Sequence, residues 1–134
     1  VNRKIKFREP FRPFAPSVLA ERTEEFFDMH DAKNHYPARF MLYVVPVKKD
    51  KHKIIPAITH VDGTARLQTV FKEENPRYYK LIEKFDKVTG VPVILNTSFN
   101  LKGEPIVNTP NNAYSTFTKS GMDVLVMDKF VIEK

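Results

Sequence analysis

One stretch decides the fold class of this chain: Val93-Ile-Leu-Asn96-Thr-Ser98-Phe-Asn100-Leu-Lys-Gly103-Glu104-Pro-Ile-Val-Asn-Thr-Pro110. Its apolar start is too short for a typical helix and predicts a buried strand. The strand runs into five residues, of which four are polar, and then into a glycine turn. Polar groups at the end of a buried strand in an α/β protein lie where ligands bind. The mixture of amides, hydroxyls and one Phe therefore indicates recognition of a specific polar ligand.

The composition sets the limits of the protein class. The 134 residues, 42% of them hydrophobic, suffice for one domain with a buried core. There is no apolar run of about 18 residues, the length of a membrane-spanning helix, and no apolar signal segment. The chain begins without Met, so we expect it to be a piece of a longer protein. The absence of Cys excludes disulfides and thiol chemistry and fits a cytoplasmic location.

The local signals predict alternating helices and strands. Asn75-Pro76 and Thr109-Pro110 each place a capping side chain before a proline at a helix start, and Gly90 is a typical residue to end the first of these helices. Another helix is predicted at Glu21–Met29. Pro10, Pro13 and Pro16 exclude a helix and hold their segment extended. Strands are predicted at Phe40–Val47, Ile54–Thr59, Arg66–Phe71, Asp123–Met127 and Phe130–Ile132, with a short strand or a frayed element end at Ile5–Phe7. The order predicts an α/β fold with one mixed sheet and helices packed on it.

Three groups of polar residues are candidate sites. The first is Lys6–Pro16, in which prolines stiffen a segment that alternates cations with Phe. Arg8 and Arg12 offer planar guanidinium groups that grip phosphate with two hydrogen bonds, whereas Lys6 offers a point charge. The alternative is a basic extended strand that packs its Phe side chains into the core. The net charge of +6 permits a nucleic acid, an anionic surface or a phosphorylated small molecule as the partner.

The second and third groups carry hydrogen-bonding side chains. His60, Asp62, Thr64 and Arg66 alternate around an Asp-Gly turn, so on extended backbone they would share a face. Arg66 would clamp a phosphate and His60 would orient or donate; the alternative is a hairpin turn with an Asp–Arg surface pair. Two ligands of mixed type do not specify a metal site. The third group is Asn96–Asn100, where Ser98 lacks a neighbouring His and a nucleophile elbow. Its residues suit hydrogen bonds to phosphate, carbonyl or base, or else a side-chain-capped turn.

These groups together resemble one family. Arg8-Glu-Pro-Phe-Arg-Pro-Phe-Ala-Pro-Ser-Val-Leu19, Thr59-His-Val-Asp-Gly-Thr-Ala-Arg66, Asn96-Thr-Ser-Phe-Asn100 with Gly103-Glu-Pro-Ile-Val107, and Ser120-Gly-Met-Asp-Val-Leu-Val126 are similar to the C-terminal domain of the NodU/CmcH-type O-carbamoyltransferases. The resemblance covers the whole chain in order. It implies that residues 1–134 form a YrdC-like domain with a twisted mixed sheet. It also implies a separate N-terminal transferase domain, which contains iron and is related to the Kae-type fold.

The resemblance further implies a reaction. In such enzymes this domain takes ATP with Mg²⁺ and carbamoyl phosphate and makes carbamoyl-adenylate, and the N-terminal domain passes the carbamoyl group to an acceptor hydroxyl on a sugar, an antibiotic or a related natural product. Cations must then neutralise anionic reactants. We expect Lys6 and Arg66 to contact phosphate or adenylate, with Ser98 as a hydrogen-bond partner. Arg8, Arg12, His60, Asn96 and Asn100 are further binding candidates, and Asp62 and Glu104 are candidates to orient these cations or to help hold Mg²⁺.

Two other function classes compete with this reading. A basic, concave YrdC-like surface would also suit an RNA backbone, but the polar groups here are not interleaved with exposed aromatic side chains as they are in single-strand binders. Nucleic acid is therefore not expected as the main partner. The second alternative is a non-catalytic module that only docks on its own N-terminal domain. Loss of ATP binding by the intact protein would favour that alternative.

Overall fold

The computed structural model describes all 134 residues, and the chain forms two compact units. The central unit is Pro13–Thr97, and the terminal unit combines Val1–Arg12 with Ser98–Lys134. Each unit contains its own cluster of buried apolar side chains. No helix combines the length and the apolar composition that crossing a membrane needs.

The central unit is built on a mixed four-stranded sheet. Its elements are β1 at Ala15–Leu19, α1 at Thr23–Phe26, β2 at Tyr43–Pro46, β3 at Thr64–Val70, α2 at Pro76–Thr89 and β4 at Val93–Asn96. The strand order is β2-β3-β1-β4, in which β1 and β3 run parallel and the other two pairs are antiparallel. The predicted α/β class with a mixed sheet and packed helices is confirmed.

Both faces of this sheet are covered by apolar packing, but differently. One face carries Val18, Leu67 and Val93, which join the main core. On the other face α2 packs Ile82 against Leu19 and Val70. The helix begins as predicted, because the side chain of Asn75 accepts a hydrogen bond from the Tyr78 amide and Pro76 occupies the first turn. It ends at Gly90, which adopts a φ of 73°.

The terminal unit contains a helix and a hairpin. They are α3 at Pro110–Thr118, β5 at Val124–Met127 and β6 at Phe130–Glu133. Thr109 caps α3 through its side chain, as predicted, and Phe117 of α3 packs against Leu125 of β5. The two strands pair antiparallel, and Asp128 in the turn has a φ of 52°. They form a sheet of their own, so the prediction of one sheet is wrong.

Three other predictions need correction. Residues 54–59 form turns instead of a strand; Ile55 and Ile58 both reach the main core from turns. Residues 5–7 belong to no strand, because Asn2–Lys6 forms one π-helical segment that ends at Phe7 with a φ of 50°. The helix predicted over Glu21–Met29 is limited to a 3₁₀ turn at Ala20–Arg22 followed by α1.

Candidate functional site

In the terminal unit, the side chain of Lys6 is hydrogen-bonded by the loop at Ser98–Asn100. Its Nζ lies 2.6 Å from the backbone oxygen of Ser98, 2.7 Å from the backbone oxygen of Asn100 and 2.7 Å from Asn100 Oδ1. The Ser98 hydroxyl oxygen is 3.3 Å away. These acceptors are all uncharged, so the ammonium is hydrogen-bonded without being neutralised.

The loop around Ser98 has a fixed shape. Asn100 accepts a hydrogen bond from the Ser98 hydroxyl at 2.7 Å and donates one to the backbone oxygen of Glu104 at 2.8 Å. The amide of Val107 donates to the backbone oxygen of Phe99, whose ring packs against the core of the terminal unit. The Ser98 side chain is thereby presented at the surface, next to the buried ammonium of Lys6.

Positive charges in the first candidate group help to lower the pKa values of neighbouring cations. Burial and the positive charge of Arg8 lower the pKa of Lys6. Burial and the positive charge of Arg12 likewise lower the pKa of Arg8, and the charge of Glu9 only partly opposes this. Glu9 itself pairs with Lys102 and Arg12. We call Lys6, Arg8 and Arg12 the cation cluster; its mutual repulsion is a feature typical of anion-binding sites.

Asn2 is a residue of this site that the sequence reading missed. Its amide nitrogen donates to the backbone oxygens of Pro10 and Arg12, at 3.1 and 2.8 Å, and its side-chain oxygen accepts from Arg8 Nε at 2.7 Å. Nothing in the neighbouring sequence distinguishes it from a solvent-exposed Asn. Its burial between the first turn and the Arg8–Arg12 loop is the structural signal.

In the central unit, the Asp-Gly turn is an independent hydrogen-bonded unit. Asp62 Oδ1 accepts from the amide and the hydroxyl of Thr64, at 3.0 and 2.7 Å, and the His60 ring nitrogen Nδ1 lies 3.2 Å from the same hydroxyl. Hydrogen bonds from Thr64 lower the pKa of the Asp62 carboxyl. Gly63 breaks the alternation with a φ of 80°, so the four alternating residues do not lie on one continuous strand.

Arg66 and Asn96 nevertheless share a face of the central sheet. Arg66 is exposed on β3, and Asn96 ends β4 opposite Ala15 of β1. The parallel register Ser17↔Gln68 places Ala15 beside Arg66, so a row across the sheet reads Arg66, Ala15, Asn96. Adjacent strands are about 4.8 Å apart, which separates the two polar residues by about 10 Å across a small side chain.

Asn96 also belongs to a buried polar network. Its Nδ2 donates to Ser17 Oγ at 3.2 Å and to Gln68 Oε1 at 3.0 Å, and Ser17 donates to the same Gln68 oxygen at 2.8 Å. Gln68 in turn donates to the backbone oxygen of Arg39. Both amide hydrogens of the Asn96 side chain are therefore used in hydrogen bonds to Ser17 and Gln68 of the sheet.

The structure thus groups the predicted site residues within each unit. Lys6, Ser98 and Asn100 form one hydrogen-bonded cluster, the charge of Arg8 helps to lower the pKa of Lys6, and the charge of Arg12 helps to lower that of Arg8. The alternative of an Asp–Arg surface pair at the turn is not what the structure shows, since Asp62 accepts hydrogen bonds from Thr64. The Glu104 carboxylate accepts from the Thr116 hydroxyl at 3.5 Å. No three His, Asp or Glu side chains lie close enough together to hold a metal ion.

Comparison with known proteins gives one family. The model of the family "Carbamoyltransferase C-terminus" matches residues 1–134, the entire chain. Nodulation protein NolNO of Sinorhizobium fredii is 48% identical over the whole chain, and nodulation protein NolO of Bradyrhizobium diazoefficiens is 47% identical over the whole chain. Nodulation protein U of Sinorhizobium fredii is 36% identical over 75% of the chain.

The matched relatives are much longer than this chain. The chain covers 19% of the NolNO protein, 24% of the NolO protein and 17% of nodulation protein U. It therefore spans about a fifth of the length of these curated relatives.

Proposed function

The chain belongs to the carbamoyltransferase C-terminal family, and from this membership we propose that it is the part of an O-carbamoyltransferase that binds ATP and carbamoyl phosphate and forms carbamoyl-adenylate. The family match supports carbamoyl transfer as the overall activity. The choice of ATP and carbamoyl phosphate as reactants comes from the family resemblance, and the cationic side chains described above suit anionic reactants of this kind.

The cation cluster carries the proposal. Burial and the charge of Arg8 lower the pKa of Lys6, burial and the charge of Arg12 lower the pKa of Arg8, and the hydrogen-bond acceptors around Lys6 are neutral. An arriving phosphate relieves this repulsion, because it adds negative charge beyond that of Glu9, the acidic residue inside this segment. The Ser98 hydroxyl lies beside the cluster as a neutral hydrogen-bonding group for a phosphate or carbamoyl oxygen.

The reaction needs positioning rather than a protein nucleophile. Atom balance requires that water first release inorganic phosphate from carbamoyl phosphate and leave carbamate. A carbamate oxygen then attacks the α-phosphorus of ATP, the bond from that phosphorus to the oxygen bridging it to the β-phosphate breaks, and pyrophosphate leaves. The reactants and the transition state are polyanionic, so fixed cations and donors lower the barrier.

The other candidate residues are assigned supporting roles. Arg66, which is exposed on β3, is proposed to bind phosphate, and His60 and Asn96 of the same unit are proposed as further binding residues. Asn100 keeps Ser98 and Lys6 in place through its side-chain oxygen. Mg²⁺ would arrive bound to the phosphates of the nucleotide and would neutralise part of their charge. Asp62 and Glu104 are proposed to orient the cationic side chains or to help hold Mg²⁺.

Transfer to the acceptor is proposed to need more than this chain. The curated relatives carry about four times as much additional sequence, in which we place the iron-containing N-terminal domain and the binding of the acceptor hydroxyl. The names of three relatives refer to nodulation, which gives a first setting in which to look for the acceptor of this chain's parent protein.

The test is isotope exchange between pyrophosphate and ATP, measured on the complete gene product. Reversible carbamoyl-adenylate formation predicts exchange that depends on carbamoyl phosphate and on Mg²⁺. Arg8→Ala and Arg66→Ala should each reduce this exchange by at least about tenfold, the effect of losing one charged contact to phosphate. Arg3→Ala is the matched control, since Arg3 is exposed on the same N-terminal segment as Arg8. Exchange that is independent of carbamoyl phosphate, or equal in all variants, would contradict the proposal.

A further inference from the structure

Asn2 is placed to organise the cation cluster. Asn2 is 8% exposed, and its side chain makes three hydrogen bonds to residues 8–12. Its backbone oxygen accepts from the amides of Phe7 and Arg8 as well. The segment from Phe7 to Arg12 is therefore folded around this one residue.

The side chain of Asn2 has two properties that only the amide side chains of Asn and Gln combine. Its NH₂ group satisfies two backbone oxygens, which a carboxylate or an apolar side chain would leave without donors. Its oxygen fixes Arg8 Nε at 2.7 Å while carrying no net charge. An Asp at this position would also hold Arg8, but its negative charge would neutralise the guanidinium.

We propose that Asn2 is a positioning residue: it orients the Arg8 guanidinium and the Arg8–Arg12 loop for an anionic reactant without cancelling their charge. The inference deepens the proposed function and rests on it for the identity of that reactant. Asn2 itself is buried and acts through Arg8.

Calorimetric titration of the complete gene product with inorganic pyrophosphate tests this inference. Asn2→Ala and Arg8→Ala are each expected to weaken binding by about tenfold, the scale of one hydrogen bond to a charged group. Because Asn2 acts in part through Arg8, the double variant should lose less binding than the sum of the two single losses. Asn108→Ala, at an exposed position of the same unit, is the matched control. Additive losses in the double variant would overturn the inference, as would a wild type that does not bind pyrophosphate.

Two further variants keep the test independent of folding and of the proposed reaction. Arg8→Lys leaves Asn2 intact but removes the Nε donor, so it should weaken binding as Asn2→Ala does. Asn2→Asp should keep the Arg8 Nε–H resonance protected in NMR spectra and still weaken pyrophosphate binding, because the new charge neutralises Arg8. Unchanged binding in either variant would overturn the inference. The two proposals can also fail separately. If the Asn2 and Arg8 variants lose pyrophosphate binding non-additively but the protein shows no carbamoyl phosphate-dependent exchange between pyrophosphate and ATP, the proposed reaction is refuted and the role of Asn2 stands.

Discussion

The ammonium group of Lys6 lies 2.7 Å from the side-chain oxygen of Asn100, a residue 94 positions later in the chain. The contact joins the N-terminal π-helical segment to the polar loop at Ser98–Asn100. Because the same nitrogen also reaches the backbone oxygens of Ser98 and Asn100, one buried cation fixes the shape of that loop. The contact also predicts how the protein responds to loss of this charge.

Lys6→Met should destabilise the protein. It leaves the acceptors around the ammonium without their donor, and an unpaired buried polar group costs about 1–3 kcal/mol in the free energy of unfolding. Urea denaturation measures this change. Lys4→Met is the matched control, because Lys4 lies in the same π-helical segment with an exposed side chain. Equal unfolding midpoints for the two variants would show that the Lys6 contacts are not stabilising.

Lys6→Arg should change the pH dependence of anion binding. Burial and the charge of Arg8 hold the pKa of Lys6 below the ordinary lysine value, and a bound phosphate would raise it again. Affinity for carbamoyl phosphate should therefore be full at neutral pH and should fall as the pH rises through that lowered pKa. Arginine stays protonated over this range, so the variant should lose the alkaline decrease. Titrations with carbamoyl phosphate over a series of pH values measure this loss of affinity. An identical decrease in Lys6→Arg would show that deprotonation of Lys6 does not cause it.

Gly121→Ala should destabilise the terminal unit. A Cβ atom at Gly121 would lie 2.8 Å from the backbone oxygen of Lys4, which accepts a hydrogen bond from the Gly121 amide. Backbone must move to make room, and overpacking of this kind costs about 1–3 kcal/mol. Lys119→Ala, two residues earlier and exposed, is the control. A melting temperature equal to that of the wild type would show that the N-terminal segment can shift without loss of stability.

Tyr79 should make stability fall at alkaline pH. Its hydroxyl donates to the Glu21 carboxylate, and this bond, with burial and nearby negative charges, raises the pKa of Tyr79 to about 12. The folded state therefore keeps a proton that an unfolded Tyr loses near pH 10. The contribution is complete below about pH 10 and is lost as the pH approaches 12.

The phenolate absorbance of wild type and Tyr79→Phe measures this ionisation directly. The difference between the two titrations should rise near pH 12, and in a Glu21→Gln background it should move down towards 10. A difference curve that is centred at 10 in the wild type would contradict the effect of Glu21.

Secondary-structure elements were predicted where capping or turn residues mark their ends in the sequence. Asn75 and Thr109 cap their helices through their own side chains, and the turn at Asp128 joins β5 to β6. β4 was recognised because an apolar run preceded polar residues. In each case the information lies within a few residues, which is the range over which caps and turns act.

The elements that sequence reading missed depend on long-range packing. β1 contains Pro16, which argues against a central strand; its pairing with β3 begins only at Ser17, so the missing amide does not interrupt that ladder. Ile55 and Ile58 look like strand residues, but they fill the core from a turn that other elements cover.

The same division holds for the candidate site. Residue chemistry identified Lys6, Ser98 and Asn100 singly, and only the fold shows that they bond to one another. Asn2 could not be predicted, because its role depends on how the following ten residues fold back onto it.

The central claim is that the cation cluster binds the phosphate of the reactants. Calorimetric titration of the complete gene product with carbamoyl phosphate, at neutral pH and at low and high salt, tests it most directly. The account predicts saturable, salt-weakened binding that Arg8→Ala reduces by about tenfold or more and that Arg3→Ala leaves unchanged. Binding that is equally strong in Arg8→Ala and in the wild type would contradict it.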